Sequence, residues 1–448
     1  MGTTLIIGMG KSGLASAKKL KEHGYSVLVY DKNACALAEK PEWASFFADG
    51  QHRILDDHWS SKDLDGVEEA IISPGIPTDI PLVEAIKGRQ IPLIGEIELG
   101  ARFIRASMVG ITGTNGKTTT TTLIYEIFKL SGASVYLAGN IGYPLMDLAD
   151  ITNEKDVVVV ELSSFQLESI RSFHVKLGMV LNITPDHLDR HHTMDAYVDA
   201  KRNIFKNSAE QDYALLNLDD PVTAEMAKDL TCRVLYFSIN APVDNGAYLD
   251  KGRILLARDG QMVELMGVNE LNIPGLHNVK NVLAAAAATY FMGVSPESIR
   301  QGVQGFAGVE HRIEFVRNLH GVTYYNDSKG TNTDAGIIAL EAMDRPVVLI
   351  AGGYDKKADY EEWIQCFFGK VKKGFLIGET ANTIYEKAVK MGYNDLEICK
   401  TLEEAVHKSA VVAQDGDVVL LSPACASWDM FDNYEARGTQ YKELVHKL

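Results

Sequence analysis

Residues 111–123 read ITGTNGKTTTTTL, a strand end that runs through two glycines into a lysine and a threonine-rich helix. Gly113 and Gly116 let the backbone curl so that its N–H groups converge on phosphate oxygens. In that arrangement Lys117 reaches the terminal phosphates as a point charge and Thr118 gives its hydroxyl to Mg²⁺. Thr114, Asn115 and Thr119 complete the cradle. The general pattern G-x-x-x-x-G-K-[ST] asks for glycine at 111, where Ile111 stands, and Gly110 and Gly113 flank it instead. A glycine-rich turn that only caps a helix is the plainer alternative. Gly-Lys-Thr-Thr directly between a strand and a helix argues against it.

A second glycine turn opens the chain. Gly8, Gly10 and Gly13 in LIIGMGKSGLA, with Asp31 at the end of the next strand, satisfy the dinucleotide fingerprint. Read alone, this is an NAD site. The segment ends after four expected strands (TTLIIG, SVLVYD, EEAIIS and IPLIGE), closer to a mononucleotide half. It also carries SPGIP, with Gly75, at another strand end.

Further polar residues follow strands. Glu161 ends VVVVE and His187 follows MVLNIT; both suit a second Mg²⁺, and both are also ordinary as a strand-end carboxylate and a loop histidine. Asn140 in GNIG presents a side-chain amide from a glycine turn. Asn278 and Asn281, three apart on a helix, can read an adenine edge and a phosphate, or Asn278 can simply cap the helix. Arg312 and Lys329 can reach phosphates and Asp327 a ribose; each alone is an ordinary surface residue. By spacing, Lys201 is a surface lysine on the helix MDAYVDAKRNIF.

These residues need scaffolds to gather them. The 448 residues are too many for one core and suggest two to four domains. Three segments alternate strands with helices, the pattern of parallel sheets covered by helices. The expected fold is α/β with a Rossmann-like domain at 1–95, a phosphate-loop ATPase-like parallel-sheet domain at 96–306 and a Rossmann-like α/β domain at 307–448. Residues 231–275 read as a small antiparallel patch. Ligands of open parallel sheets sit at the carboxyl ends of strands. Sheets presenting such edges to each other would form a cleft that closes by a swing of the last domain.

Composition excludes several classes. A formal net charge of −16 argues against a nucleic-acid coat. No apolar run approaches a membrane span, and the start lacks the features of a signal peptide. The five cysteines contain no C-x-x-C pair, which fits reduced thiols in a cytoplasmic protein.

The tight form GTNGKTTT, with GNIG, ELSSFQLE, NITPDHLDRH, AKRNIF, GLHNVKN, His311-Arg312 and NDSKGTN in order, resembles the Mur ligase family, ATP-dependent amide-bond ligases of peptidoglycan synthesis. The stretch SPACASWDMFDNYEARG (422–438) is similar to the branch that adds D-glutamate to UDP-N-acetylmuramoyl-L-alanine. The resemblance implies small-molecule substrates, ATP, two Mg²⁺ ions held by Thr118, Glu161, His187 and Lys201, and a carbamate on Lys201. It implies that Lys117, Asn140, Glu161, His187 and Lys201 carry the reaction. The first domain would hold the UDP sugar through the Gly8 and Gly10 amides, Lys11, Ser12, Asp31 or Lys32 and Gly75, with Asn140, Ser163 and His187 from the second. D-Glutamate would meet Lys356, with Lys357 beside it as an open alternative, together with Thr331, Ser427, Trp428 and Tyr434. A monomer without nucleic acid or membrane anchor is expected. The alternatives are another Mur-type ligase, a folylpolyglutamate synthase, a nicotinamide-dependent oxidoreductase, or a nucleotide switch.

Overall fold

The structure, a computed structural model, describes residues 2–50, 52–273 and 275–448, with backbone only at 189. Met1, the first residue of the expected first domain, lies outside them. Among the described residues the chain is α/β throughout and built on three sheets.

The first sheet is fully parallel: β1 (Thr3–Ile7), β2 (Ser26–Tyr30), β3 (Arg53–Leu55), β4 (Val67–Ile72) and β5 (Leu93–Gly95) lie in the order 3-2-1-4-5. Leu5, Ile6 and Ile7 of β1 are fully buried, which is why its apolar run is continuous rather than alternating. Four strands were expected here. The fifth, β3, has only three residues, two of them exposed, and shows no apolar pattern in sequence.

The second sheet holds β6 (Ser107–Thr112), β7 (Val135–Gly139), β8 (Val157–Glu161), β9 (Leu177–Val180), β10 (Tyr213–Asn217), β11 (Arg233–Ser238), β12 (Gly246–Asp250), β13 (Arg253–Arg258) and β14 (Gln261–Gly267). Their order is 14-13-12-11-10-9-6-8-7. The antiparallel patch is narrower than expected. Only β12, β13 and β14 pair antiparallel, whereas β11 extends the parallel run beside β10. β6 lies between β8 and β9, so the chain leaves it toward one side of the sheet and later continues on the other. The carboxyl end of β6 is therefore a switch point, where ligands enter such sheets.

The third sheet runs 15-16-20-17-18-19, from β15 (Glu314–Leu319), β16 (Val322–Asn326), β17 (Val347–Ala351), β18 (Val371–Leu376), β19 (Leu396–Ile398) and β20 (Val418–Leu421). β15 joins antiparallel at one edge. Apolar clusters fill both faces, one around Trp363 and Phe367 and the other around Tyr324, Phe375 and Tyr441.

Packing divides the chain into two compact units, residues 2–269 with 281–303, and residues 270–280 with 304–448. The first unit contains the first two sheets. They are joined by the helix Glu96–Ala101, whose Glu98 carboxylate accepts from the backbone N–H groups of Arg171, Ser172 and Phe173. That cluster of donors keeps a fully buried carboxylate charged: the Ser172 hydroxyl and the three amides outweigh desolvation, and its pKa lies below the usual range. No helix among the described residues is long and apolar enough to cross a membrane.

Candidate active site

The phosphate loop lies at the carboxyl end of β6, as expected from its sequence. Gly113 and Gly116 adopt φ of 150° and 83°. At Gly116 a β-carbon would also stand 2.4 Å from Asn281 Oδ1, so glycine is required by both conformation and space. The helix Lys117–Leu130 follows, its amino end aimed at the loop. Lys117 is folded back over the loop, its Nζ donating to the carbonyls of Gly113 (2.8 Å) and Thr114 (2.7 Å).

The loop is held from outside. Asn182 at the end of β9 accepts from Asn115 N at 2.8 Å and donates to Asn115 O at 3.0 Å, so its amide clamps one peptide of the cradle. Thr114 Oγ1 bonds the Thr184 backbone and the Tyr197 hydroxyl. Thr114 therefore serves mainly to fix the loop. Asn182 lies inside the stretch NITPDHLDRH, where nothing in its spacing signals a clamp on a loop 67 positions away. Thr118 and Thr119 are buried in the first helical turn.

Lys201 is not the surface lysine its helix pattern suggests. It is 1% exposed, donates to Gly113 O at 2.7 Å, and lies over the Tyr197 ring. Burial first, then the nearby Lys117 ammonium, push its amine well below the usual lysine range; Asp186 and Glu161 oppose the shift. Glu161, at the end of β8, is 1% exposed. Its Oε1 accepts from Asn140 Nδ2 at 2.8 Å, and its Oε2 has no hydrogen-bond partner among the described atoms. A buried carboxylate oxygen left in this way calls for a cation. His187 sits in a left-handed backbone conformation, φ 54°, with its ring edge-on to Phe165 and its Nε2 3.6 Å from Asp186.

Oxygen donors at Thr118 and Glu161 suit Mg²⁺. Lys201 as an ammonium does not; as a carbamate it would be a third oxygen donor and, after Glu161, the second anionic one. Among the described residues no group of three or more His, Cys, Asp or Glu side chains could hold a metal ion. The expected set escapes that pattern because a threonine and a lysine make up half of it.

In the first sheet the glycine turn is closed by Asp31, which accepts from Met9 N and Asn33 N, both at 3.0 Å. Gly13 packs so tightly that a β-carbon would lie 1.9 Å from Gly8 O. Gly10 caps the helix Lys11–Glu22, with Lys11 exposed and Ser12 half-buried beside it. Lys32 and Gly75 are exposed. Ser73, in the SPGIP turn, donates to Gly8 O at 3.4 Å, so the turns after β1 and β4 meet at this sheet's own switch point. Next to them a cavity of about 320 Å³ is lined by Ser73, Thr78, Phe165, Gln166 and Arg190. Arg190 had no assigned role in sequence; its guanidinium stacks on Phe165 and donates to Pro74 O and Glu168. Ser163 caps its helix in a reciprocal pair with Gln166.

The helix Leu276–Phe291 carries Asn278 and Asn281, both buried. Asn281 Oδ1 accepts from Thr120 Oγ1 at 3.4 Å.

In the second unit Asp327 is fully buried, accepting from Ser422 Oγ at 2.8 Å and Ile313 N at 3.3 Å. Burial lifts its pKa to about 6 against the pull of Arg312. Lys329 Nζ donates to the Tyr434 hydroxyl at 3.1 Å. Ser427 is buried and Trp428 largely exposed; Lys356 Nζ lies 5.8 Å from the indole centre, and Tyr354 packs on the same ring. The adjacent Lys357 takes a left-handed φ of 56°. Thr331 is half-buried just before Asn332, which caps the helix Thr333–Glu341. Arg437, unassigned in sequence, is 1% exposed and spends its guanidinium on Ser328, Cys425 and Ala426, which fixes the SPACAS turn. Cys425 lies buried against Tyr360 and Thr380, and its thiol is pushed up by burial.

Three family descriptions match in register with the three sheets: Mur ligase MurD-like N-terminal domain over residues 2–95, Mur ligase middle domain over 111–289, and Mur ligase glutamate ligase domain over 311–425. The UDP-N-acetylmuramoylalanine–D-glutamate ligase of Thermoanaerobacter pseudethanolicus is 46% identical, covering 99% of this chain and 98% of its own. The ligase of the same name from Clostridioides difficile is 42% identical over 99% of this chain and 98% of its own. Among solved structures, a pseudomurein peptide ligase type C from Methanothermus fervidus matches with a TM-score of 0.63 at 20% identity, covering both chains fully. The MurF ligase of Thermotoga maritima, in complex with ADP, matches with a TM-score of 0.58 at 18% identity over 94% of each chain. At that identity the two structures speak for the fold, and the near-complete matches to the curated relatives decide the membership: the chain belongs to the Mur ligase family.

Proposed function

We propose that this chain is an ADP-forming ligase that joins D-glutamate to UDP-N-acetylmuramoyl-L-alanine with ATP, in the cytoplasmic synthesis of peptidoglycan precursors. The full-length identity to D-glutamate ligases is the observation that carries the reading.

The alanyl carboxylate attacks the γ-phosphorus of ATP, ADP leaves, and an acyl phosphate results. The amine of D-glutamate then attacks the acyl carbon, and the tetrahedral intermediate collapses to the amide and inorganic phosphate. There is little covalent work for the protein in this sequence; positioning and charge stabilisation carry it. The amides of 113–118 hold the triphosphate. Lys117 exchanges its two loop carbonyls for phosphate oxygens. Asn140, tied to Glu161, points its amide at the acyl phosphate, and Asn278, Asn281, Arg312, Asp327 and Lys329 complete the nucleotide contacts. Thr118, Glu161, His187 and Lys201 would hold Mg²⁺, which neutralises phosphoryl charge. Lys201 is suited to carbamylation because its buried amine favours the uncharged form: the nitrogen adds to the carbon of CO₂ and its proton leaves to solvent. The first sheet's glycine turn takes the UDP diphosphate. Lys356, Thr331, Ser427 and the backbone at Trp428 and Tyr434 receive the carboxylates of D-glutamate.

Phosphate release measured with ATP, the UDP-muramoyl-alanine substrate and a panel of amino acids tests the reading. Turnover with D-glutamate alone is expected; turnover with meso-diaminopimelate or L-alanine instead would move the chain to another branch of the family.

A further inference from the structure

The second sheet has a second edge, and it is not bare. Opposite the phosphate loop, at the amino ends of β6 and β9, lies a cavity of about 320 Å³. Arg102, Arg105, His174 and Lys176 line it, with the hydroxyl residues Ser107 and Ser172. Ser107 and Thr112 bound β6, so this cavity and the phosphate loop are separated by about 17 Å of strand at the ordinary rise.

Four basic side chains converging in a chain of net charge −16 need an explanation. The acids nearby account for part of it and leave Arg105 over. Asp212 holds His174 at 2.6 Å and Lys176 at 3.2 Å, yet its side chain is 1% exposed while theirs are 46% and 33%. Glu69 takes Arg102 through two bonds of 2.8 and 2.9 Å. Glu98 is consumed by the backbone of 171–173. Arg105 is exposed. Asp212 thus orients His174 and Lys176 from beneath, Glu69 takes up Arg102, and the exposed Arg105 is left in the lining with Ser107 and the outer part of Lys176 beside it. A guanidinium with an ammonium and a hydroxyl beside it is chemistry that recognises phosphate oxygens.

We propose that this cavity is a binding site for a small multivalent phosphate anion, separate from the nucleotide and UDP-sugar sites. Arg102 and Arg105 come from the connection between the first two sheets, and His174 and Lys176 from the segment that leads into β9. A bound anion would tie that connection to the second sheet.

The test is calorimetric titration of the full chain with pyrophosphate and, separately, orthophosphate. The glycine turn and phosphate loop are first saturated with UDP and a non-hydrolysable ATP analogue with Mg²⁺. One further binding event is expected, weakened at least tenfold in Arg105→Glu, partly retained in Arg105→Lys, and weakened by added salt, with ligase turnover of both variants unchanged. Tighter pyrophosphate would assign a diphosphate ligand, and equal or tighter orthophosphate a single phosphate group. No event under these conditions, or one that Arg105→Glu leaves intact, overturns the proposal.

Discussion

Asn182 grips Asn115 through both ends of its amide, at 2.8 and 3.0 Å, across 67 positions of sequence. The phosphate cradle is therefore held in shape by a residue just past the end of the neighbouring strand and not by its own glycines alone. Asn182→Ala removes both bonds. At about 1 kcal/mol net for each, the KM for ATP should rise about ten- to thirtyfold with little change in the KM for the other substrates. Steady-state kinetics with each substrate varied in turn checks this. An unchanged KM for ATP would mean that the glycines suffice.

Lys201 separates chemistry from stability. As an unmodified amine its depressed pKa means that the folded state resists protonation, so stability falls as pH drops from the usual lysine range toward the depressed value. Lys201→Met should abolish turnover yet melt no lower than wild type in CO₂-free buffer at neutral pH. Bicarbonate should raise the Tm and activity of wild type only, and intact-mass measurement should find the adduct. Bicarbonate without effect on either would count against the carbamate.

Gly13 and Gly10 should behave differently. Gly13→Ala places a β-carbon 1.9 Å from Gly8 O, an overlap that has to push backbone apart and should cost about 1–3 kcal/mol. Around Gly10 there is open space, and its φ of −77° suits any residue. Gly10→Ala should keep the wild-type Tm and weaken the UDP substrate, because the added methyl would stand where the proposed site receives the diphosphate. Thermal melts and substrate titrations of the two variants separate packing from binding.

Glu96 is fully buried, accepts from Met146 N at 2.8 Å, and is pushed up to about 7 chiefly by desolvation, with Asp147 adding to it. A carboxyl whose folded pKa is raised contributes stability that is complete below its unfolded value and is lost as pH rises through the folded one. Between pH 4.5 and about 7, wild type should thus lose about 3 kcal/mol relative to Glu96→Gln. Denaturant midpoints at several pH values measure the difference. A gap that stays constant with pH would show that Glu96 is charged throughout.

Arg437 should prove structural. Its guanidinium is buried, its pKa is lowered to about 10 by desolvation, and carbonyls rather than a carboxylate satisfy it. Arg437→Met strands those carbonyls and should destabilise the fold by about 3 kcal/mol or more. The variant should lose its cooperative melt before any selective loss in D-glutamate affinity is seen.

Much of this protein could be read in its residues alone. The phosphate loop, the glycine turn, the long buried strands and the family motifs are local patterns, and local patterns survive in a linear text. The strands that escaped reading fail for identifiable reasons: β3 and β19 are three residues each, and β7 and the edge strand β15 are half-buried or exposed along most of their length and so lack a clean apolar run. Lys201 was misplaced because helical spacing reports which face a residue shares, not what that face meets; here it meets Gly113, 88 positions away. Sequence by itself therefore determined which chemical groups the protein owns and the order in which strands present them. Only the tertiary structure decided which of those groups lose their water. Asn182, Arg190, Arg437 and the Glu98 anchor act through partners dozens of positions away, and desolvation by distant neighbours turns ordinary side chains into a clamp, a suppressed amine and an orphaned carboxylate oxygen.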